Sequence, residues 1–218
     1  MPKLPDSGFT YTASFYDALA KFVYGDSLQQ AQLALLPFIP QKARVLVIGG
    51  GSGWVLEQLI QTKKELNILY LDAAPSMLKL AQQKFEQQKH PHTCSVEFRL
   101  GNEQSLHPQE QFDVIFTPFL LDLFPAQRLH ILMATLASAL TPAGTWLFAD
   151  FWPTQQPLPI WQRILIKCMY IFFGLISGVE ANHLPDYKVH FDSLGFEVKY
   201  SKSFYSGMVQ AKVYMRTR

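Results

Sequence analysis

A run of branched apolar residues, Val45-Leu46-Val47-Ile48, breaks directly into Gly49-Gly50-Gly51-Ser52-Gly53 and then into a helical pattern from Trp54 to about Thr62. A short strand that is apolar throughout, with no alternation, has to be covered on both faces, as strands in parallel sheets are. Glycines at such a break permit a tight turn and let a ligand approach the main chain. The helix beyond them offers free N–H groups to a polar or anionic group. Val55, Leu56, Leu59 and Ile60 give that helix one apolar face.

The same unit recurs along the chain. Leu66–Leu71 reads as a second strand, and Pro75-Ser76-Met77-Leu78 opens a second helix with proline in its favoured first turn. Val96–Leu100 and Phe112–Phe116 read as the third and fourth strands. Ala126–Leu140 reads as a long helix, Thr141-Pro142-Ala143-Gly144 as the turn after it, and Thr145–Asp150 as the fifth strand. Tyr187–Leu194 is helical and stops at Gly195. Phe196–Phe204 and Met208–Met215 alternate around Ser206-Gly207 as a hairpin. At the other end, Asp17 to about Leu36 reads as a helix ended by Pro37 and Pro40.

Five strand–helix units predict an α/β fold: a Rossmann-like, doubly wound sheet with right-handed crossovers and helices on both faces. The closing antiparallel hairpin brings it to seven strands. The length of 218 residues suits one domain. Within it, residues 1–40 form a helical cap and residues 153–185 a lid-like helical insertion.

The glycine turn narrows the ligand. A phosphate-binding loop would end in Gly-Lys-Ser/Thr, and a dinucleotide fingerprint starting at Gly49 would need glycine where Trp54 stands. Glycine at Gly49, Gly51 and Gly53 therefore suits a ligand without a pyrophosphate. Asp72 ends the second strand about 20 residues on, where a carboxylate meets ribose hydroxyls; the alternative role is capping the following helix.

Bulk properties exclude several classes. A net charge of +2, with no Lys/Arg-rich run, argues against nucleic acid. Cys94 and Cys168 stand far apart without paired histidines, which indicates a reduced, cytoplasmic protein and no metal site. The first 20 residues carry prolines and an acid early and do not read as a signal peptide. Leu158–Gly178 is very apolar, but Arg163 and Lys167 interrupt it, so no membrane span is expected.

Taken together, VLVIGGGSG, LDAAPSMLKLA, VEFRLGNEQSL, FDVIFTPFLLDLF, LTPAGTWLFADF and the closing LGFEVKYSKSFYSGMVQAKVYMR resemble, in order and spacing, the class I S-adenosylmethionine (SAM)-dependent methyltransferases. The likeness covers nearly the whole chain and is greatest to the ubiquinone/menaquinone-type small-molecule enzymes. It implies SAM as cofactor and methyl transfer to a small, apolar or aromatic acceptor. By the resemblance, Gly49, Gly51 and Gly53 pass the methionine and ribose portions, Asp72 holds the ribose, and Ala73 and Met77 flank the adenine. Asn102 accepts from the adenine amino group, Glu103 offers its backbone N–H, and Thr117 borders the methionine end. Two positions depart from the family: Val47 stands where many members carry an acid, and Asn102 where they carry aspartate. Two other readings stay open, an NAD(P)-dependent oxidoreductase and a non-catalytic protein that keeps the fold.

For the acceptor side, Asp122, His183 and Tyr187 are the candidate catalytic groups, with His130, His190 and Tyr16 as further donors or bases. The apolar segment from Trp161 to Ile176 has three readings: a lid over an apolar substrate, packing against the sheet edge or a second subunit in a homodimer, or peripheral contact with lipid.

Overall fold

The computed structural model describes residues 24–88, 92–154, 157–177 and 183–217. Seven strands form one sheet: β1 Arg44–Ile48, β2 Asn67–Asp72, β3 Ser95–Leu100, β4 Phe112–Pro118, β5 Leu140–Phe151, β6 Phe196–Phe204 and β7 Val209–Arg216. Their order is β3-β2-β1-β4-β5-β7-β6. The first five run parallel, and β7 pairs antiparallel with both β5 and β6. This is the expected doubly wound sheet with its hairpin.

Helices α1 Ser27–Leu33, α2 Trp54–Thr62, α3 Pro75–Glu86 and α5 Ile160–Ser177 cover one face, and α4 Ala126–Ser138 and α6 Tyr187–Ser193 cover the other. β1 shows why its sequence is apolar throughout. Val45 and Val47 pack into the first layer, and Leu46 and Ile48 into the second. Around Trp146 and Phe148 the second layer is aromatic, with Phe191 5.2 Å from Trp146 and Tyr187 4.9 Å from Phe148.

Several boundaries differ from expectation. The helix expected to reach Leu140 ends at Ser138, and Thr141–Gly144 is not a free turn but part of β5. Leu140 pairs with Phe112 and Thr145 with Val114, so the four residues between them bulge outward opposite Asp113. Pro142 sits in that bulge, where a ladder N–H is not needed. The third strand carries only a 3-10 turn, Glu103–Ser105, in place of a helix. Near the start, Gly25 adopts φ +57°, and Pro37 lies inside a 3-10 turn, Leu36–Phe38, rather than stopping a helix. The earlier part of that expected helix, with Tyr16, lies outside the described residues. At the hairpin, Tyr205 joins Ser206 and Gly207 in the left-handed region. Among the described residues no helix is long and apolar enough to cross a membrane, and no group of side chains could hold a metal ion.

Candidate active site

Strand order reverses between β1 and β4, and at that point the carboxyl ends of β1, β2 and β4 leave a crevice. The glycine turn lies at its floor. The Gly49 N–H donates to the Leu71 carbonyl at 2.9 Å, which continues the ladder one residue past β1. The Gly51 N–H then donates to Asp72 Oδ2 at 3.0 Å, and the Ala74 N–H to Asp72 Oδ1 at 2.9 Å.

Each glycine answers a different constraint. A Cβ on Gly53 would lie 2.7 Å from Ala81 Cα, so that glycine lets α2 and α3 pack. A Cβ on Gly50 would lie 2.4 Å from the Tyr70 hydroxyl, which donates to the Gly51 carbonyl at 3.0 Å. A Cβ on Gly51, at φ +63°, would meet nothing within 4 Å. Gly51 is thus the point where the turn presents bare backbone to open space. The sequence pattern singled out Gly49, Gly51 and Gly53. Gly50 was missed because its constraint comes from Tyr70, a residue buried beneath the turn.

Asp72 is 7% exposed. Burial pushes its carboxyl pKa up, while the N–H groups of Ala74, Gly51 and Ala73 pull it down. Oδ2 accepts the Gly51 N–H and Oδ1 the Ala74 N–H, and a carboxylate has acceptor sites left for hydroxyl hydrogens. Asp72 does not cap α3, whose N-cap, Ala74, takes no side-chain hydrogen bond; it braces the turn ahead of that helix. Ala73 is exposed at the rim, Met77 is buried behind the start of α3, and Ser76 Oγ nearby is buried with no hydrogen-bond partner.

Past β3, Asn102 is exposed and its Oδ1 accepts from the Gln104 N–H at 3.0 Å, capping the 3-10 turn. The Glu103 side chain turns into the protein and pairs with Arg128 of α4. Its Oε2 and Arg128 Nη1 are both buried without a partner. Thr117 lies within β4, not after it. Its hydroxyl accepts from the Trp146 indole at 3.1 Å and donates to the Leu147 carbonyl at 3.4 Å. That side chain is committed to the layer on the α4 side, and Thr117 is fully buried. Val47 is fully buried between the strand neighbours Tyr70 and Phe116.

Beyond β4 the chain turns sharply. Phe119 adopts φ +53°, its N–H donates to the Ala149 carbonyl at 2.7 Å, and its ring lies 5.5 Å from Phe151. A non-glycine residue held in this region marks stored strain, which clusters at functional sites. Leu120 then packs under Gly49.

Asp122 follows and is 1% exposed, against a fully buried Asp150 at the end of β5. Asp150 Oδ2 accepts the N–H groups of Leu121 and Asp122 at 3.0 and 3.3 Å, and Oδ1 accepts its neighbour Phe151's N–H at 2.8 Å. The two carboxyls lie within hydrogen-bonding reach of one another, yet Asp122 Oδ1 has no partner. Burial pushes Asp122 up to about 7, and burial together with the Asp122 charge raises Asp150 well above its ordinary value. Two carboxyls this deep cannot both ionise. The pair therefore takes up protons well above the usual carboxylate range.

Tyrosines surround the pair. The Tyr170 hydroxyl of α5 donates to the Asp122 backbone carbonyl at 3.3 Å. Tyr187 is fully buried beside Trp152, 5.2 Å between ring centres, with its hydroxyl turned to the Asp150 carboxyl. Burial and then the two aspartates raise the Tyr187 pKa, so the phenol stays neutral.

Of the candidate acceptor-side groups, the structure thus brings Asp122 and Tyr187 together and adds Asp150, which the sequence reading missed. His183 stands exposed before α6. His130 and His190 face each other at 6.0 Å across α4 and α6, away from the pair. A shallow cleft of about 410 Å³ lies to the side, lined by Trp152, Lys188, Lys212 and Tyr214 among others. It includes no residue of the glycine turn or the carboxyl pair, so the chemistry is assigned to the crevice.

Residues 45–144 match the family model described as a methyltransferase domain. The chain is 27% identical over 143 residues to malonyl-[acyl-carrier protein] O-methyltransferase of Priestia megaterium, covering 66% of this chain and 49% of the relative. It therefore spans about half the length of that curated relative. The magnesium protoporphyrin IX methyltransferase of Synechocystis, solved with S-adenosylhomocysteine (SAH), superposes with TM-score 0.68 at 17% identity, over 95% of this chain and 97% of that one. The mitomycin 7-O-methyltransferase structure superposes with TM-score 0.65 at 18% identity, over 88% of this chain and 54% of that one. These likenesses show a shared fold.

Proposed function

We propose that the chain is a class I SAM-dependent methyltransferase, supported by the methyltransferase domain matched over residues 45–144 and by the shared fold, and that it binds SAM in the crevice and methylates a small, apolar acceptor. The observation that carries this reading is Asp72. Its carboxylate ties the glycine turn to the residues just before α3, next to the open space at Gly51. That arrangement suits a ribose diol lying across bare backbone, with no pyrophosphate to hold.

The residues present fit the cofactor. Gly51 leaves the room, Asp72 holds the ribose hydroxyls, and Ala73 and Met77 form the adenine wall. Asn102 keeps a second Oδ1 lone pair for an amino group. SAM supplies a methyl group on a positively charged sulfur, already activated for in-line displacement. The chain's task is then alignment and, for an acceptor bearing a proton, removal of that proton.

The acceptor side is formed by Phe119, Phe151 and Trp152 around the carboxyl pair. Asp122 Oδ1, with its open lone pair, takes the acceptor's proton. Asp150 acts as a positioning residue by holding the backbone of Leu121 and Asp122. Tyr187, kept neutral by burial and the two aspartates, lends its hydroxyl to the Asp150 carboxyl and is a positioning residue. By name, the relatives above methylate a malonyl-[acyl-carrier protein], a mitomycin and magnesium protoporphyrin IX, which supports a non-nucleic-acid acceptor without identifying it.

Calorimetric titration of the full chain with SAH tests the cofactor assignment. Binding by the native chain with its loss in Asp72→Ala is the expected result. A folded chain that binds no SAH would overturn the reading and leave a protein that keeps the fold without the chemistry.

A further inference from the structure

Helix α5 has two faces of opposite character. Inward, Gln162, Met169 and Tyr170 are buried. Gln162 Nε2 donates to the Ser206 carbonyl of the hairpin turn at 3.2 Å, and Tyr170 reaches the Asp122 backbone. Outward, Ile160 is 76% exposed, Trp161 45% and Ile164 58%. Of the exposed large hydrophobics in the described chain, these three alone fall within little more than one helical turn. They make a contiguous patch, whereas Leu33, Phe38, Leu100, Ile131, Val189 and Val198 are scattered over other elements.

The charges beside the patch are of one sign. Arg163 and Lys167 are exposed, one turn apart, and neither forms an ion pair with a described residue. The whole α5 sequence contains no aspartate or glutamate. Apolar bulk with charge of one sign is complementary to an apolar surface that carries the opposite sign. Bulky apolar groups with a tryptophan, bordered by cations on a helix too polar to cross, match the boundary of a bilayer that carries negative headgroups.

We propose that the outer face of α5, formed by Ile160, Trp161, Arg163, Ile164 and Lys167, docks on an anionic lipid surface. The helix lies in the headgroup plane, its isoleucines and indole enter the acyl boundary, and its two cations pair with lipid phosphates. The inference concerns this face and stands or falls independently of the transfer chemistry.

Flotation of the full chain with vesicles tests it. Vesicles of phosphatidylglycerol and phosphatidylcholine in equal parts are compared with phosphatidylcholine alone, at about 0.1 M and about 0.5 M salt. The native chain should float with the anionic vesicles only, and less at the higher salt. Trp161→Glu/Ile164→Glu and Arg163→Glu/Lys167→Glu should each lower the bound fraction about tenfold or more. Circular dichroism and thermal unfolding of both variants, unchanged from the native chain, show that they are folded. No flotation with either vesicle overturns the proposal, as does equal flotation with neutral lipid. A dimer seen by gel filtration and dissolved by Trp161→Glu/Ile164→Glu, with no vesicle binding, would assign the face to a second copy and overturn it as well.

Discussion

The Tyr70 hydroxyl supports the Gly51 carbonyl from below the glycine turn, 3.0 Å away, and the same hydroxyl occupies the space that a Cβ on Gly50 would need. Two adjacent glycines therefore fail differently when replaced. Gly50→Ala pushes a methyl into a fully buried ring and should cost about 1–3 kcal/mol of stability. Gly51→Ala meets no atom and costs only the left-handed backbone, about 1–2 kcal/mol, but puts a methyl where the cofactor passes. Thermal unfolding and SAH titration of both variants should show Gly50→Ala failing mainly in stability and Gly51→Ala mainly in affinity.

Asp72→Asn keeps the shape and one acceptor oxygen but loses the charge and turns an amide N–H₂ towards a backbone N–H. SAH affinity should fall by about 1.5–3 kcal/mol, roughly 10- to 100-fold, as for loss of hydrogen bonds to a charged group. Calorimetry reads this directly. An affinity within twofold of native would show that the carboxylate only braces the turn.

The carboxyl pair predicts a pH effect of definite sign. The folded Asp122 pKa is raised from 3.8 to about 7, so the folded chain keeps a proton that the unfolded chain gives up earlier. Its favourable contribution is present below the unfolded value and is lost as pH rises through about 7. Native stability should therefore decline across that window. In Asp122→Asn the decline should be smaller, and above pH 7 the variant should match or exceed the native chain by about 1–3 kcal/mol, because a buried, unpaired charge is gone. Thermal unfolding from pH 4 to 8 checks it. On the proposed chemistry, this more stable variant should bind SAH normally and lose methyl transfer.

Glu103 and Arg128 tie the 3-10 turn to α4, with one oxygen and one nitrogen left over. Arg128→Met strands a buried carboxylate and should cost about 3–5 kcal/mol. Adding Glu103→Gln should recover most of that loss. A double-mutant cycle in denaturant unfolding measures the coupling, which should be well above the value for an exposed pair.

Much of this molecule is legible from local pattern. The branched run Val45–Ile48, the glycine break and the spacing to Asp72 announce the crevice, because strand burial and turn chemistry are written in adjacent residues. Features set by distant contacts are not. Thr117 looks like a rim residue until Trp146, across the sheet, claims its hydroxyl. Thr-Pro-Ala-Gly at 141–144 is a turn by composition, and only the pairing of Leu140 with Phe112 makes it a bulge. Asp150 reads as the end of a strand, and its role depends on the Leu121–Asp122 backbone arriving from β4. Asp122 was visible as an acid after a strand, whereas its missing partner and raised pKa arise only on burial.

One helix separates the outer patch of α5 from the carboxyl pair, since Tyr170 reaches Asp122 from the same helix that exposes Ile164 to the outside. That is a thickness of about 10–12 Å. With α5 seated on lipid, a greasy acceptor would reach the aspartates sideways out of a two-dimensional phase and would never cross bulk water. Its supply would then follow mole fraction at the surface, not molar concentration. Diluting it with inert lipid should slow turnover even when total acceptor and enzyme are held constant, while SAH affinity stays as it was.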